Sequence, residues 1–274
     1  MTDFQRAIKY IAIIIAVFLI IAIIGGIISG LSILGFVVNT NSIESSTEVL
    51  TTQPLTDIYE LEVELASYEL IIKEGDTLSV AYDNRNKSVV VDGNTLKITE
   101  KKKLFHFGQE GYTVILTVPE NYFFTQVSLK MGAGRLKVDA LSTNELNLEL
   151  GAGNVEISNL TAITSVDIEG GAGDLSITES EITDLDLQMG VGALALSSNL
   201  IGNNQIDLGV GDSDIKLKGT ENDYRFDITK GLGEVTFDGE KFSNASPSVS
   251  MQGDNISFVE INCGVGKVNI DFIQ

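Results

Sequence analysis

The sequence is poor in the residues from which most binding and catalytic chemistry is assembled. Its 274 residues include one Cys, one His, three Pro and no Trp. A single Cys excludes an intramolecular disulfide and leaves no second thiolate for a structural zinc pair. The lone His106 has no Ser or Cys motif to pair with as a general base. Cations are scarce as well: 18 Lys and Arg stand against 38 Asp and Glu, a formal net charge of −20. Phosphate contacts need clustered Lys and Arg, so nucleic acid is not an expected partner. No cofactor and no metal are expected from this inventory.

What the chain does have is concentrated apolar sequence at one end. From Tyr10 to Val38 no charged residue occurs, and the run is mostly Ile, Ala, Val, Leu and Phe. About 20 such residues suffice for a helix to cross a bilayer. Arg6 and Lys9 precede the run and Glu44 and Glu48 follow it, which sets the N-terminus in the cytoplasm. A cleaved signal peptide is the competing reading. The run is longer than the usual signal core, no clear small-x-small site follows, and no lipobox Cys is present, so an uncleaved single-pass anchor is expected. The chain then divides into a cytoplasmic N-terminus (1–9), a transmembrane anchor (10–38), a polar stalk (39–56) and an extracytoplasmic domain (57–274).

Within that domain Gly-x-Gly recurs with first glycines at Gly132, Gly151, Gly171, Gly190 and Gly209, spaced 19, 20, 19 and 19 residues apart. Looser copies begin at Gly231 and Gly264. Aligned on the first Gly, aliphatic columns appear. Leu129, Leu148, Ile168, Leu187 and Ile206 stand three before it, and Val138, Ile157, Ile177, Leu196 and Ile215 six after. Polar residues such as Asn147, Asp167 and Asp186 alternate with them. Period-two alternation means half-buried strands. Two strands per repeat are expected, with the middle residue of Gly-x-Gly continuing the inward series and the second Gly turning a corner. A unit this short buries little alone, but stacked copies share a core. The expected fold is therefore all-β, a parallel β-helix or β-solenoid of roughly 19–20-residue coils over 126–274. An antiparallel sandwich ranks second. Residues 57–125 carry less regular strands, including Leu61–Leu65, Leu70–Ile72 and Leu96–Ile98, and read as a capping part.

The Leu116-Thr117-Val118-Pro119 segment, followed by a strand and then Gly-Ala-Gly-Asn (151–154) and Gly-Ala-Gly-Asp (171–174), resembles the bacterial "putative adhesin" domain of unknown function. That domain is often tethered by one N-terminal membrane helix. The resemblance covers roughly 57–274 and implies a β-helical surface domain. Some relatives are linked to envelope-stress gene clusters. The family has no established catalytic residues, so it implies none here.

Several residues are candidates for a site. The first glycines, Gly132, Gly151, Gly171, Gly190 and Gly209, are expected to form an outward stripe without side chains. Corner torsion is the favoured cause, and close approach of a partner the alternative. Lys101, Lys102, Lys103, Phe105 and Phe107 form a basic-aromatic cluster around His106 that suits lipid headgroups or an anionic wall polymer. Asn154, Asp174 and Asp212 could line one edge, although the spacing departs from a calcium β-roll. Glu149 and Glu169 share a column as paired carboxylates would in a glycan-acting enzyme. Cys263 falls in an inward column. Taken together these point to a non-catalytic, membrane-anchored binding or structural module. Its partners would be the membrane, a wall polymer, a surface protein or a second copy. A sensory role in envelope stress is the alternative, and a glycan-acting enzyme the third reading.

Overall fold

The computed structural model describes residues 50–82, 87–100, 113–241, 248–251 and 257–273. The expected cytoplasmic N-terminus and anchor, most of the stalk, and the whole Lys101–Phe107 cluster lie outside them. Among the described residues no helix is long and apolar enough to cross a membrane.

The strands, in chain order, are β1 (Thr51–Pro54), β2 (Glu60–Gly75), β3 (Ser79–Tyr82), β4 (Lys87–Asp92), β5 (Thr95–Glu100), β6 (Thr113–Pro119), β7 (Phe123–Val138), β8 (Leu141–Ser158) and β9 (Leu160–Thr183). There follow β10 (Leu185–Val191), β11 (Leu194–Ile201), β12 (Asn203–Val210), β13 (Ser213–Lys218), β14 (Tyr224–Phe237), β15 (Glu240–Lys241), β16 (Ser248–Met251) and β17 (Ser257–Ile273). Parallel pairing in strict register joins the repeats. Leu129 faces Leu148, Leu148 faces Ile168, Ile168 faces Leu187, and Leu187 faces Ile206. Like stands above like, as the period requires, and an antiparallel sandwich is excluded. The columns three before and six after the first Gly are buried in every coil, from Leu129 and Val138 to Ile261 and Ile270.

The chain does not climb the stack in sequence order at either end. β17 pairs with β12 and β13 on one side and with β14 on the other, so the last coil is inserted beneath the one before it. Likewise β2 lies between β7 and the coil made by β5 and β6. β2 is thus a full coil with Ala66-Ser67-Tyr68 where the others have Gly-x-Gly, and the irregular cap lies beyond it. In that cap β3, β4 and β1 pair antiparallel with β6, β5 and β3. The end of the polar stretch read as stalk is therefore built into the domain through β1.

Aromatic side chains cluster toward each end of the core. Tyr122 and Phe124 pack edge to face near the first, and the Tyr122 hydroxyl donates to the Ile58 carbonyl. Phe226, Phe237 and Phe272 cluster at the other with centroids 5.0–6.2 Å apart, while Tyr224 Oη donates to Lys218 O at 2.7 Å. At the β14–β17 end the rings fill the core beyond the last aliphatic coil, and both hydroxyls find a carbonyl.

Two sequence expectations need correction. First, four successive coils carry a further inward pair that the columns did not reveal: Leu141 and Thr143, Leu160 and Ala162, Ser180 and Ile182, Ser198 and Leu200. It follows the first Gly at a constant distance in the first three of them, and the register slip between Leu196 and Ser198 moves it by one residue in the fourth. Second, the middle residue of Gly-x-Gly does not point inward. Val191, Val210, Val265 and Leu232 are 53%, 40%, 47% and 74% exposed. The inward series stops one residue before the motif and resumes four after its first Gly, so all three residues make the corner.

Candidate functional site

The corner explains its own glycines. At the second Gly of each motif φ lies between 135° and 157°, from Gly134 to Gly233. This is the region L side chains avoid, and the expected turn at that position is confirmed. The first Gly has no such torsion. An added Cβ at Gly151 would instead fall 2.3 Å from Gly132 O, at Gly171 2.3 Å from Gly151 O, and at Gly190 2.4 Å from Gly171 O. Torsion, the favoured cause at the sequence level, is thus overturned for this column. Close approach is the cause, and the approaching backbone is the next coil of the same chain.

The outcome is a bare stripe with shape on both sides. Gly132, Gly151, Gly171 and Gly190 are exposed and Gly209 half-buried. Beside them runs an open groove of about 1130 Å³, which crosses the coils from Glu64 to Gly264. Its floor is glycine backbone with Met131, Leu150, Met189 and Leu208, and its rim is the column two before the first Gly. Along that rim Glu64, Lys130, Glu149, Glu169, Gln188 and Asp207 follow one another in register. Lys130 Nζ donates to Glu149 Oε1 at 2.5 Å, and this hydrogen bond holds the Lys130 pKa above its ordinary value. Glu149 does face Glu169 in the ladder, but Lys130 already engages Glu149, which makes it part of a surface ion pair. On the far side of the corner a second groove of about 520 Å³ is lined by Asn154, Asp174, Ala193, Asp212 and neighbours.

The acidic edge has a structural task. Asp174 Oδ1 accepts from the Ala193 N–H at 3.1 Å, and Asp212 Oδ1 accepts from the Lys267 N–H at 2.9 Å. Each carboxylate ties down a backbone donor of the next coil where the corner opens the ladder. Among the described residues no group of three or more His, Cys, Asp and Glu could hold a metal ion. Cys263 lines the first groove and packs partly against the core, and burial pushes its thiol up to about 11. It is overwhelmingly a thiol at neutral pH, a poor nucleophile. The ridge of middle residues was the feature that sequence reasoning missed. Its signal was the change from Ala to Val and Leu at that position.

Comparison with known proteins places this geometry. No curated protein matches. Among solved structures, the "putative cell adhesion protein" of Clostridium sporogenes is 15% identical over 82% of this chain and 99% of its own, with a TM-score of 0.38. A "putative lipid binding protein" of Parabacteroides distasonis is 16% identical over 81% and 96%, TM-score 0.43. A "putative adhesin" of Bacteroides fragilis is 9% identical over 81% and 96%, TM-score 0.32. The model of the Toastrack DUF4097 family matches residues 58–272, and the chain belongs to that family.

Proposed function

We propose that the protein is a non-catalytic binding module, carried outside the cell by the apolar run at 10–38. The observation that carries this reading is the open groove of about 1130 Å³ along the stack. Its glycine backbone repeats at every coil, about 4.8 Å apart, under a rim whose side chains change from coil to coil. Such a surface suits a partner that is itself extended and repetitive, as a wall polymer or protein strand is, better than a single small substrate. The asymmetry of charge around the apolar run supports the placement. The Lys101–Lys103 cluster with Phe105 and Phe107 adds a basic, aromatic contact suited to anionic polymer or headgroups.

The test uses the full chain in protoplasts. Added protease is expected to degrade residues beyond 40 while leaving the extreme N-terminus intact, and isolated cell walls are expected to retain the detergent-solubilised protein. Protection of the repeat domain would refute the placement. A glycan-cleaving activity that disappears in Glu149→Gln/Glu169→Gln would refute the non-catalytic reading.

A further inference from the structure

One glycine in the floor of the groove has no cause within the fold. The column one before the first Gly carries Met131, Leu150, Met189, Leu208 and Cys263, yet Gly170 stands in the middle of it. Its φ is not positive, and a Cβ there would meet only Met189 Cγ at 3.5 Å and Gln188 O at 3.7 Å. Neither torsion nor packing calls for a glycine at this place. The missing side chain opens an apolar hollow of about 10 Å³ walled by Leu150, Ile168 and Met189, room for about one methylene group.

The charge beside this gap is one-sided. Outward columns two and four before the first Gly form the sheet face along the rim. From β7 through β12 to β17, Lys130 is their sole cation among the described residues, against Glu149, Asp167, Glu169, Asp186, Asp207 and Glu260. Like charges stand in register, Glu149 beside Glu169 and Asp167 beside Asp186, which costs stability unless a cation answers them. Lys130 answers Glu149. Among the described residues Asp167 and Glu169 take neither a hydrogen bond nor an ion pair. On the second strand of the coils the charges are met, Lys137 by Asp139 at 2.8 Å and Lys216 by Asp214 at 3.1 Å.

We propose that the groove takes an extended polypeptide segment rich in lysine. This rests on the reading of the groove as a binding surface and names what it binds. A lysine side chain is a four-carbon stem with an ammonium group at its tip, and it lays the stem on apolar surface while the tip seeks charge. Placed across the floor at Gly170, the stem fills the gap between Leu150 and Met189, and the tip reaches Glu169, the next residue, on the rim. A metal ion suits the face less, because among the described residues no three acidic groups are placed to hold one. The carboxylates are instead dealt out by coil, about 4.8 Å apart, as a chain with spaced charges requires. A glycan would find no aromatic side chain along the groove, among the described residues, on which to stack a sugar ring. From Glu64 to Gly264 the groove crosses six coil steps, about 29 Å, the length of about nine extended residues.

The experiment follows the fluorescence anisotropy of labelled decalysine titrated with the full chain in non-ionic detergent micelles at about 0.15 M salt. Wild type is expected to bind saturably, and Asp167→Asn/Glu169→Gln to raise the dissociation constant about ten-fold. Gly170→Met changes no charge and plugs the gap with the side chain found at 131 and 189. It is expected to raise the constant about five-fold without lowering the melting temperature. Gly170→Ala, a smaller plug, guards against crowding and is expected to shift binding in the same direction. Glu156→Gln/Glu179→Gln removes the same charge from exposed sites away from the groove and is expected to stay within about two-fold of wild type. Spermine, which has ammonium groups but no peptide backbone, is expected to displace decalysine only at about ten-fold higher concentration. Equal binding by wild type and every variant, or spermine as potent as decalysine, would overturn the proposal. A wild type that cell walls retain but decalysine does not bind would overturn it and leave the binding role standing. Groove-dependent binding of decalysine without retention on walls would uphold it and remove the wall from that role.

Discussion

Asn204 interrupts an otherwise aliphatic column, and its surroundings show why the core accepts it. The side chain is buried, yet Oδ1 accepts from the Leu185 N–H at 3.1 Å and Nδ2 donates to Phe258 O at 3.1 Å. It thus joins the coil below to the inserted last coil above. Ser180 acts in the same way, accepting from the Leu160 N–H at 3.2 Å and donating to Thr178 O at 2.8 Å. Polar residues inside this core stand where the chain turns and the ladder leaves a backbone group without a partner. Asn204→Val keeps the volume similar and strands both backbone groups. It is expected to cost about 2–4 kcal/mol in urea unfolding, since each buried group left unpaired costs about 1–3 kcal/mol. A change within about 0.5 kcal/mol would show that water replaces the amide.

At the scale of the coil, the strand columns were legible because side-chain period and coil period coincide. Ile168 is 1% exposed while its neighbour Asp167 faces solvent. Ile168→Asp is therefore expected to destabilise by about 3 kcal/mol or more, and Asp167→Ser to stay within about 0.5 kcal/mol. Equal melting temperatures for the two variants would place the register one residue out. The further inward pair of these four coils was not legible, because three of its eight members are Thr or Ser and the slip near Ser198 shifts the last pair by one residue against the glycines. The direction of the middle corner residue was misjudged for a simpler reason. Alternation was extrapolated through a segment where the chain turns, and alternation holds only along a strand.

For the whole molecule, the sequence showed a stack but not its order. The looser spacing before Gly231 and Gly264 was visible, but nothing local records that β17 is inserted between β13 and β14, since any coil with the same columns fits any slot. The candidate site was half legible: the glycine stripe was found, its cause was not. A stripe kept bare for a partner and a stripe kept bare by the neighbouring coil look identical in one sequence. Only the position of the carbonyl across the ladder separates them, and the two lead to different accounts of why the groove exists.

The adjacent glycines 170 and 171 allow that distinction to be measured. Neither has a positive φ, so torsion does not enter the comparison. A Cβ at Gly170 would meet Met189 Cγ at 3.5 Å and Gln188 O at 3.7 Å, both ordinary contacts, whereas one at Gly171 would fall 2.3 Å from the carbonyl oxygen of Gly151. If coil-to-coil backbone contact is what demands the glycine column, Gly170→Ala should stabilise the domain by about 0.4–1 kcal/mol through the unfolded chain. Gly171→Ala should destabilise it by about 1–3 kcal/mol, as overpacking does. The measurement is the thermal unfolding of the two single variants against wild type. Opposite shifts in melting temperature are predicted, and Gly171→Ala melting at or above wild type would contradict the account.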